Sequence, residues 1–205
     1  MRRSTALVST RRTRHVPIRT QGAGSNYTNR PLAECEPAGH GIGRSRGGVT
    51  TKIHTAVDGR GRPLAVVVTG GQRNDGAMLA AVLDEICVPR RGAGRPRSRP
   101  DVVITDRAYS SGVTRRMLRA RGITAVIPQK RDEIAARARR GRLGGPRPHL
   151  DQQIYKGRNV VERSFALLNQ WRGLATRYDK LAITYRAAVV LSACITWLRH
   201  IGDTP

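Results

Sequence analysis

The chain has 205 residues, with 38 Lys and Arg against 14 Asp and Glu and a formal net charge of +24 at pH 7. That length suits one domain of ordinary size around a single core, and the charge excludes a neutral enzyme surface in favour of a polyanionic partner. Four of the cations are Lys and 34 are Arg; the planar donor fork of Arg matches phosphate oxygens in pairs, so nucleic acid is the expected partner.

With one Phe, two Trp and five Tyr, the core has to be aliphatic. The three cysteines, Cys35, Cys87 and Cys194, are odd in number and far apart, which excludes a disulfide framework or a zinc cluster and fits a reducing cytoplasm. The most apolar run, Ala187 to Leu198, is too short to span a membrane. It reads as a buried helix, and no membrane partner is expected.

Residues 1–45 carry little periodicity beyond the patch Ala6-Leu7-Val8 and read as a basic, loosely ordered segment, with the folded domain following over residues 46–205. Val49–Val57 reads as a strand, Asp58-Gly59-Arg60-Gly61 as a hairpin turn and Pro63–Thr69 as a second strand. Asn74 or Asp75 can cap a helix in which Met78, Leu79, Val82, Leu83 and Ile86 fall at helical spacing. A basic loop follows over residues 90–100. Val102-Val103-Ile104 is a short apolar run of the kind found in strands buried on both faces. A polar helix around residues 114–121 and a strand at residues 124–127 come next, and residues 129–145 read as a basic loop or a loosely held helix. The last third, residues 155–200, is helical by pattern, with a break near Gly173. Strands interleaved with helices indicate an α/β sheet flanked by helices.

Acids are scarce, so the positions of two of them carry weight. Asp106 directly follows the strand 102–104, and ligands of α/β sheets collect at such carboxyl ends; the competing reading is an Asp that forms its own turn. Glu162 shares a helix stripe with Tyr155, Arg158 and Asn169; the competing reading is a solvated i,i+4 pair with Arg158. Hard divalent cations take oxygen ligands of this type. His40 and His54 read as solvated or satisfied histidines, and Phe165 and Trp171 as core residues.

A resemblance sharpens this. The run Gly43-Arg44-Ser45-Arg46-Gly47-Gly48-Val49-Thr50-Thr51-Lys52-Ile53-His54, the turn Asp58-Gly59-Arg60-Gly61, the segment Gly71-Gln72-Arg73-Asn74-Asp75, the run Ile104-Thr105-Asp106-Arg107-Ala108-Tyr109, and Arg158-Asn159-Val160-Val161-Glu162-Arg163 occur in order. With Gln170-Trp171-Arg172-Gly173 and Thr176-Arg177-Tyr178-Asp179-Lys180, they closely resemble bacterial insertion-sequence transposases of the insertion-sequence-five type, which carry a DDE nuclease domain.

The resemblance implies an RNase H-like mixed sheet flanked by helices, with three carboxylates holding Mg²⁺ or Mn²⁺ for strand cleavage and transfer. Asp106 and Glu162 match the second and third acids as catalytic and metal-binding residues. Lys52, Arg107, Lys156, Arg158, Arg163 and Arg172 are the expected DNA contacts, together with the loops 90–99 and 137–147. The implied partners are insertion-sequence ends and target DNA, with a second copy or a full-length relative as protein partner, in the bacterial cytoplasm at the nucleoid.

Two departures stand out. The signature Tyr-x2-Arg-x3-Glu-x6-Lys is met by Tyr155, Arg158 and Glu162, but Asn169 replaces its Lys. The first acid, expected as Asp-Ser-Thr on an early strand, is missing: Arg3 precedes Ser4-Thr5 and Val8 precedes Ser9-Thr10, so position 8 or position 3 is where the Asp is expected to belong. Glu34 and Glu36 sit in a Pro-flanked loop and Asp58 in the hairpin turn, and none of them is read as a ligand. The expectation is an N-terminally truncated transposase with impaired cleavage; the alternative is an inactive DNA-binding remnant that interferes with a full-length relative.

Overall fold

The computed structural model describes residues 4–15, 39–45, 48–90 and 92–202. Cys35, Glu34, Glu36 and Arg3 lie outside them. The strands are β1 (Thr5–His15), β2 (Gly43–Ser45), β3 (Gly48–Asp58), β4 (Pro63–Gly70), β5 (Val102–Ile104), β6 (Thr124–Val126) and β7 (Thr176–Arg177). The helices are α1 (Asp75–Asp84), α2 (Gly112–Ala120), α3 (Arg131–Arg139), α4 (Gln152–Lys156), α5 (Asn159–Asn169), α6 (Arg172–Ala175) and α7 (Ala182–Gly202). The sheet runs β2-β3-β1-β5-β6, with β4 paired to β3 and β7 to β1. Its pairing is mixed: β5 is parallel to β1 and β6, and β2 is antiparallel to β3. This is the helix-flanked mixed sheet expected of an RNase H-like domain.

Contacts divide the chain into two compact units. The first comprises Met1–Ser9, Thr55–Ala65 and Asn74–Ser164. In it, Leu7, Val57, Val102, Ile104, Val126 and Val161 form one buried cluster, with Ile154, Tyr155 and Val160 packed against it. Because strand side chains alternate, these residues mark the sheet face that carries α4 and the start of α5. Ala6, Val8 and Val103 are equally buried and belong to the opposite face. Local chemistry sets the element ends. Asn74 accepts hydrogen bonds from the backbone of Gly76 and Ala77 to start α1, and the Ser111 hydroxyl accepts from Thr114 N to start α2. In the hairpin turn Asp58 Oδ1 accepts from the backbone of Arg60 and Arg62, and Gly61 takes φ +84°, a conformation open to glycine.

The second unit comprises Thr10–His54, Val66–Arg73 and Phe165–Pro205. Ile53, Val66, Leu174, Tyr185 and Val189 form its core. His54 is fully buried, with its Nδ1 2.8 Å from Thr10 Oγ1 and its Nε2 2.8 Å from Thr69 Oγ1, so it is a satisfied core histidine.

Three expectations are corrected, and one is resolved, since of the two readings of residues 129–145 the helix holds. Residues 5–15 form an eleven-residue strand rather than a loose segment, because pairing with β5 and β7 supplies an order that Arg11, Arg12 and Arg14 hide from the local pattern. Residues 131–139 form α3, whose first turn carries Asp132 and Glu133 and whose last carries Arg137 and Arg139, both favourable to the helix dipole. Trp171 is 45% exposed and is no core residue. The run 187–198 is buried on one side only.

Asp101 ties the start of β1 to the start of β5: its Oδ2 accepts from Ser4 N at 2.8 Å and pairs with Arg97 at 2.9 Å. The Ser4 backbone bond holds its carboxyl below the ordinary value, with Arg97 adding to the effect. A depressed folded pKa gives stability that is present above the ordinary carboxylate pKa and lost as pH falls through the lower folded one. Thermal melts between about pH 5 and pH 2 should therefore show a downward slope that is shallower in Asp101→Asn; identical slopes would refute the clamp.

Candidate metal and nucleic-acid site

The carboxyl end of β5 supplies the first acid. Thr105 N still donates to Val126 O, at 3.4 Å; Asp106 follows in extended conformation, and Arg107–Tyr109 turn as one 3-10 turn. Asp106 Oδ1 accepts from Ala108 N at 2.8 Å, so the turn-forming role left open by the sequence is present. Tyr109 and Ser110, each 2% exposed, anchor this turn. The Ser110 hydroxyl donates to Glu133 Oε1 at 2.7 Å and so fastens the basic helix α3 beside it. Arg115, whose guanidinium is pushed below its ordinary value mainly by burial and held up in part by Glu133, donates to Ile127 O at 2.7 Å. This Ser110–Glu133 link had no signal in the sequence, since it joins residues 23 apart.

Glu162 comes from the opposite direction. Asp151 Oδ1 accepts from Gln153 N and Ile154 N and starts α4. The chain then passes Gly157, where an added Cβ would lie 3.1 Å from Ile154 O and 3.9 Å from Ile104 Cδ1. That close approach brings the start of α5 against the end of β5. Val161, one residue before Glu162, shares a core cluster with Ile104, two residues before Asp106. The two acidic segments are therefore brought to the same end of the sheet. Glu162 is exposed and ion-paired with Arg158 one turn earlier. A pair this open contributes only tenths of a kcal/mol, so either partner is cheap to redirect toward a ligand.

The parallel register matches Leu7 with Ile104. Continued, it sets Val8 beside Thr105 and Ser9 beside Asp106. Alternation turns Ser9 to the face of Leu7, Ile104 and Val161, and turns Val8 away from it. Val8 is 2% exposed, whereas Ser9 is half-buried. The position that faces Asp106 and α5 is thus Ser9, which corrects the expectation for position 8; position 3 lies outside the described residues.

The donor set suits a hard divalent cation in kind but not in number. Among the described residues no group of three or more His, Cys, Asp or Glu side chains could hold a metal ion. Two carboxylates, one capping its own turn and one paired with Arg158, do not make a two-metal centre.

The expected DNA contacts divide by exposure. Arg107, Lys156, Arg163 and Arg172 are exposed, and Arg158 is half-buried beside Glu162. Lys52 is different: it is 4% exposed and its ammonium donates to Arg73 O. Residues 51–57 are all buried, so this strand has no solvent face on which a lysine could meet phosphate. Lys52 is a structural donor to the turn after β4. The loop 92–99 is exposed throughout. No helix among the described residues is long and apolar enough to cross a membrane.

Similarity to known proteins covers most of the chain. Residues 14–198 match the family described as Transposase DDE domain. The chain is 37% identical over 145 residues to a Burkholderia cepacia protein named as a transposase for insertion sequence element IS402, covering 71% of this chain and 61% of that protein. It is 28% identical over 151 residues to a Brucella ovis protein named as a transposase for insertion sequence element IS6501, covering 74% of this chain and the whole of that relative. The chain thus spans less than two thirds of the IS402 relative.

Proposed function

Because the chain belongs to the transposase DDE domain family, we propose that it is an insertion-sequence transposase chain that binds DNA at element ends and target but is impaired in metal-dependent strand cleavage. What supports this reading is that Asp106 follows the end of β5, Glu162 follows Val161 of the same core cluster as Ile104, and the β1 register, continued from Leu7, offers Ser9 there and not an acid. Binding itself needs no metal: a surface of net +24 with exposed Arg107, Lys156, Arg163 and Arg172 holds phosphates by charge and by bidentate hydrogen bonds. In an intact relative, Mg²⁺ or Mn²⁺ would activate water and stabilise the leaving oxygen; here no such step is assigned. Acting in the bacterial cytoplasm at the nucleoid, such a chain occupies DNA ends that a full-length relative would otherwise cut, which keeps interference as the second reading.

The test is duplex binding across a salt series combined with a Mg²⁺-dependent strand-cleavage assay. Affinity should fall steeply with salt as counterions are released. Arg107→Ala, Arg163→Ala and Arg172→Ala should each weaken binding for every sequence and lower the salt slope by about 1, whereas Lys52→Met should leave the slope unchanged and destabilise the fold. Salt-independent binding would sink the DNA reading, and strong cleavage by the unaltered chain would sink the impairment.

A further inference from the structure

A recess of about 520 Å³ opens at the end of the sheet away from Asp106, within the roughly 300–1,000 Å³ typical of small-molecule sites. Pro100, two residues before β5, and Ile123, directly before β6, are part of its wall, so it sits at the amino ends of these strands, whereas Asp106 follows the carboxyl end of β5. With Leu83, these two buried residues give it an apolar floor. Its cations are Arg95, Arg99 and Arg121, and its one acid is Asp84. The surrounding chain holds these groups in place. Val88 N donates to Arg97 O at 2.9 Å and Arg97 N to Val88 O at 2.8 Å, which closes the base of the loop that carries Arg95, and Arg97 is itself paired with Asp101. Arg99 Nη1 donates to Arg121 O at 3.3 Å and lies against Gly122, where an added Cβ would be 3.3 Å from that nitrogen. Arg121 holds Asp84 through both terminal nitrogens, at 2.6 and 3.5 Å. Arg95 and the hydroxyl of Ser98, which also lines the recess, have no hydrogen-bond or ion-pair partner among the described residues.

We propose that this recess binds a free organic phosphate of mononucleotide size, its phosphate monoester held by Arg95, Arg99 and Ser98 and its body resting on Leu83, Pro100 and Ile123. The donors suit that group. A guanidinium carries five N–H donors, Arg99 spends one of them on Arg121 O, and paired N–H groups of this kind match phosphate oxygens. The charge balance decides the sign of the ligand. Against three guanidiniums stand Asp84 and the carbonyl ends of α1 and α2, each end worth about half a negative charge. The balance stays positive, so an anion is attracted, and a dianion more than a monoanion. A carboxylate at this spot lowers that attraction: Asp84 is 63% exposed and pairs with Arg121, a contact of this openness being weak and easily exchanged. Shape separates the ligand from a duplex, whose convex backbone meets protruding cations, whereas a recess takes a small molecule with a phosphate at one end. The site shares no residue with Asp106, Glu162 or the exposed cations near them, and it does not depend on cleavage.

Equilibrium dialysis of the full chain against deoxyadenosine monophosphate tests it, with nucleic acid first removed at high salt. The titration is run in about 0.15 M NaCl, where charges more than about 8 Å away are largely screened, so the net charge of the whole surface does not imitate a site. One molecule should bind per chain, with a dissociation constant on the order of 1 mM or below. Arg95→Ala should raise that constant about tenfold with an unchanged circular dichroism spectrum, since the side chain is exposed. Asp84→Asn should lower it several-fold, because it removes the one acid of the recess; a merely structural role for this cluster would not tighten binding. Arg116→Ala, on α2 but outside the recess, should change nothing. Deoxyadenosine binding as well as its monophosphate would overturn the phosphate contact, and inorganic phosphate binding as well would overturn the organic body. Absence of saturable binding at millimolar ligand, or an Arg95→Ala variant with wild-type affinity, overturns the site itself.

Discussion

Ser9→Asp is expected to raise Mg²⁺-dependent strand cleavage on the order of 100-fold over the unaltered chain, the scale at which one charge-stabilising group matters in an active site. The register, continued from Leu7 and Ile104, sets Ser9 beside Asp106, and alternation turns it to the face of Leu7 and Val161, so the substitution adds a third carboxylate at the sheet end that carries the other two. Val8→Asp is the control. Its side chain enters a site that is 2% exposed on the other face. The continued register sets beside it Thr105, whose buried hydroxyl lacks a hydrogen-bond partner, and a single hydroxyl does not offset the desolvation of a carboxylate. Val8→Asp should lower the urea midpoint and add no cleavage. If Val8→Asp gained activity and Ser9→Asp did not, the register argument would fail.

Arg177→Met should cost about 1–3 kcal/mol for each hydrogen-bond partner it leaves unsatisfied, a large share of the 5–15 kcal/mol that holds a typical domain. Arg177 is fully buried. Its Nε donates to Asp179 O at 2.9 Å, one terminal nitrogen to Thr51 Oγ1 at 2.7 Å and Gly41 O at 3.2 Å, and the other to His40 O at 2.5 Å and Lys180 O at 3.0 Å. The guanidinium also lies 5.2 Å from the centroid of the Tyr185 ring, whose hydroxyl is pushed above its ordinary pKa mainly by burial. Removing the fork takes a donor from part-buried carbonyls of two chain segments and from the buried Thr51 hydroxyl. Arg177→Lys should recover little, because an ammonium is a point charge and cannot span a planar fan of acceptors. Urea unfolding measures both; a lysine variant with the wild-type midpoint would defeat the geometric account.

These two sites also show what the sequence could and could not tell. Strands at residues 48–58, 63–70 and 102–104 and the helix starting at Asp75 were legible because their signals are local: an Asp-Gly turn, an Asn cap, a short apolar run. Asp106 and Glu162 were singled out by the motifs around them. Which β1 side chain faces them was not, since that depends on pairing with residues 97 positions away, as the Ser4–Asp101 bond shows. Arg177 sits in a polar stretch with nothing to mark it as interior; its acceptors at His40 and Gly41 come from more than 130 residues earlier. Lys52 is the case where a signal existed and was outweighed by motif resemblance. The run Thr50–Val57 is rich in β-branched residues on both faces, the pattern of a doubly covered strand.

The placement of β1 bears on how the chain is made. This strand leaves the ribosome before its partners, residues 102–104 and residues 176–177. Such pairings carry a large loop-closure penalty before they yield any contact energy, which slows folding. During synthesis an arginine-bearing strand with unmet backbone donors waits beside a polyanionic ribosome and messenger, so its cations repress aggregation while it remains without a sheet.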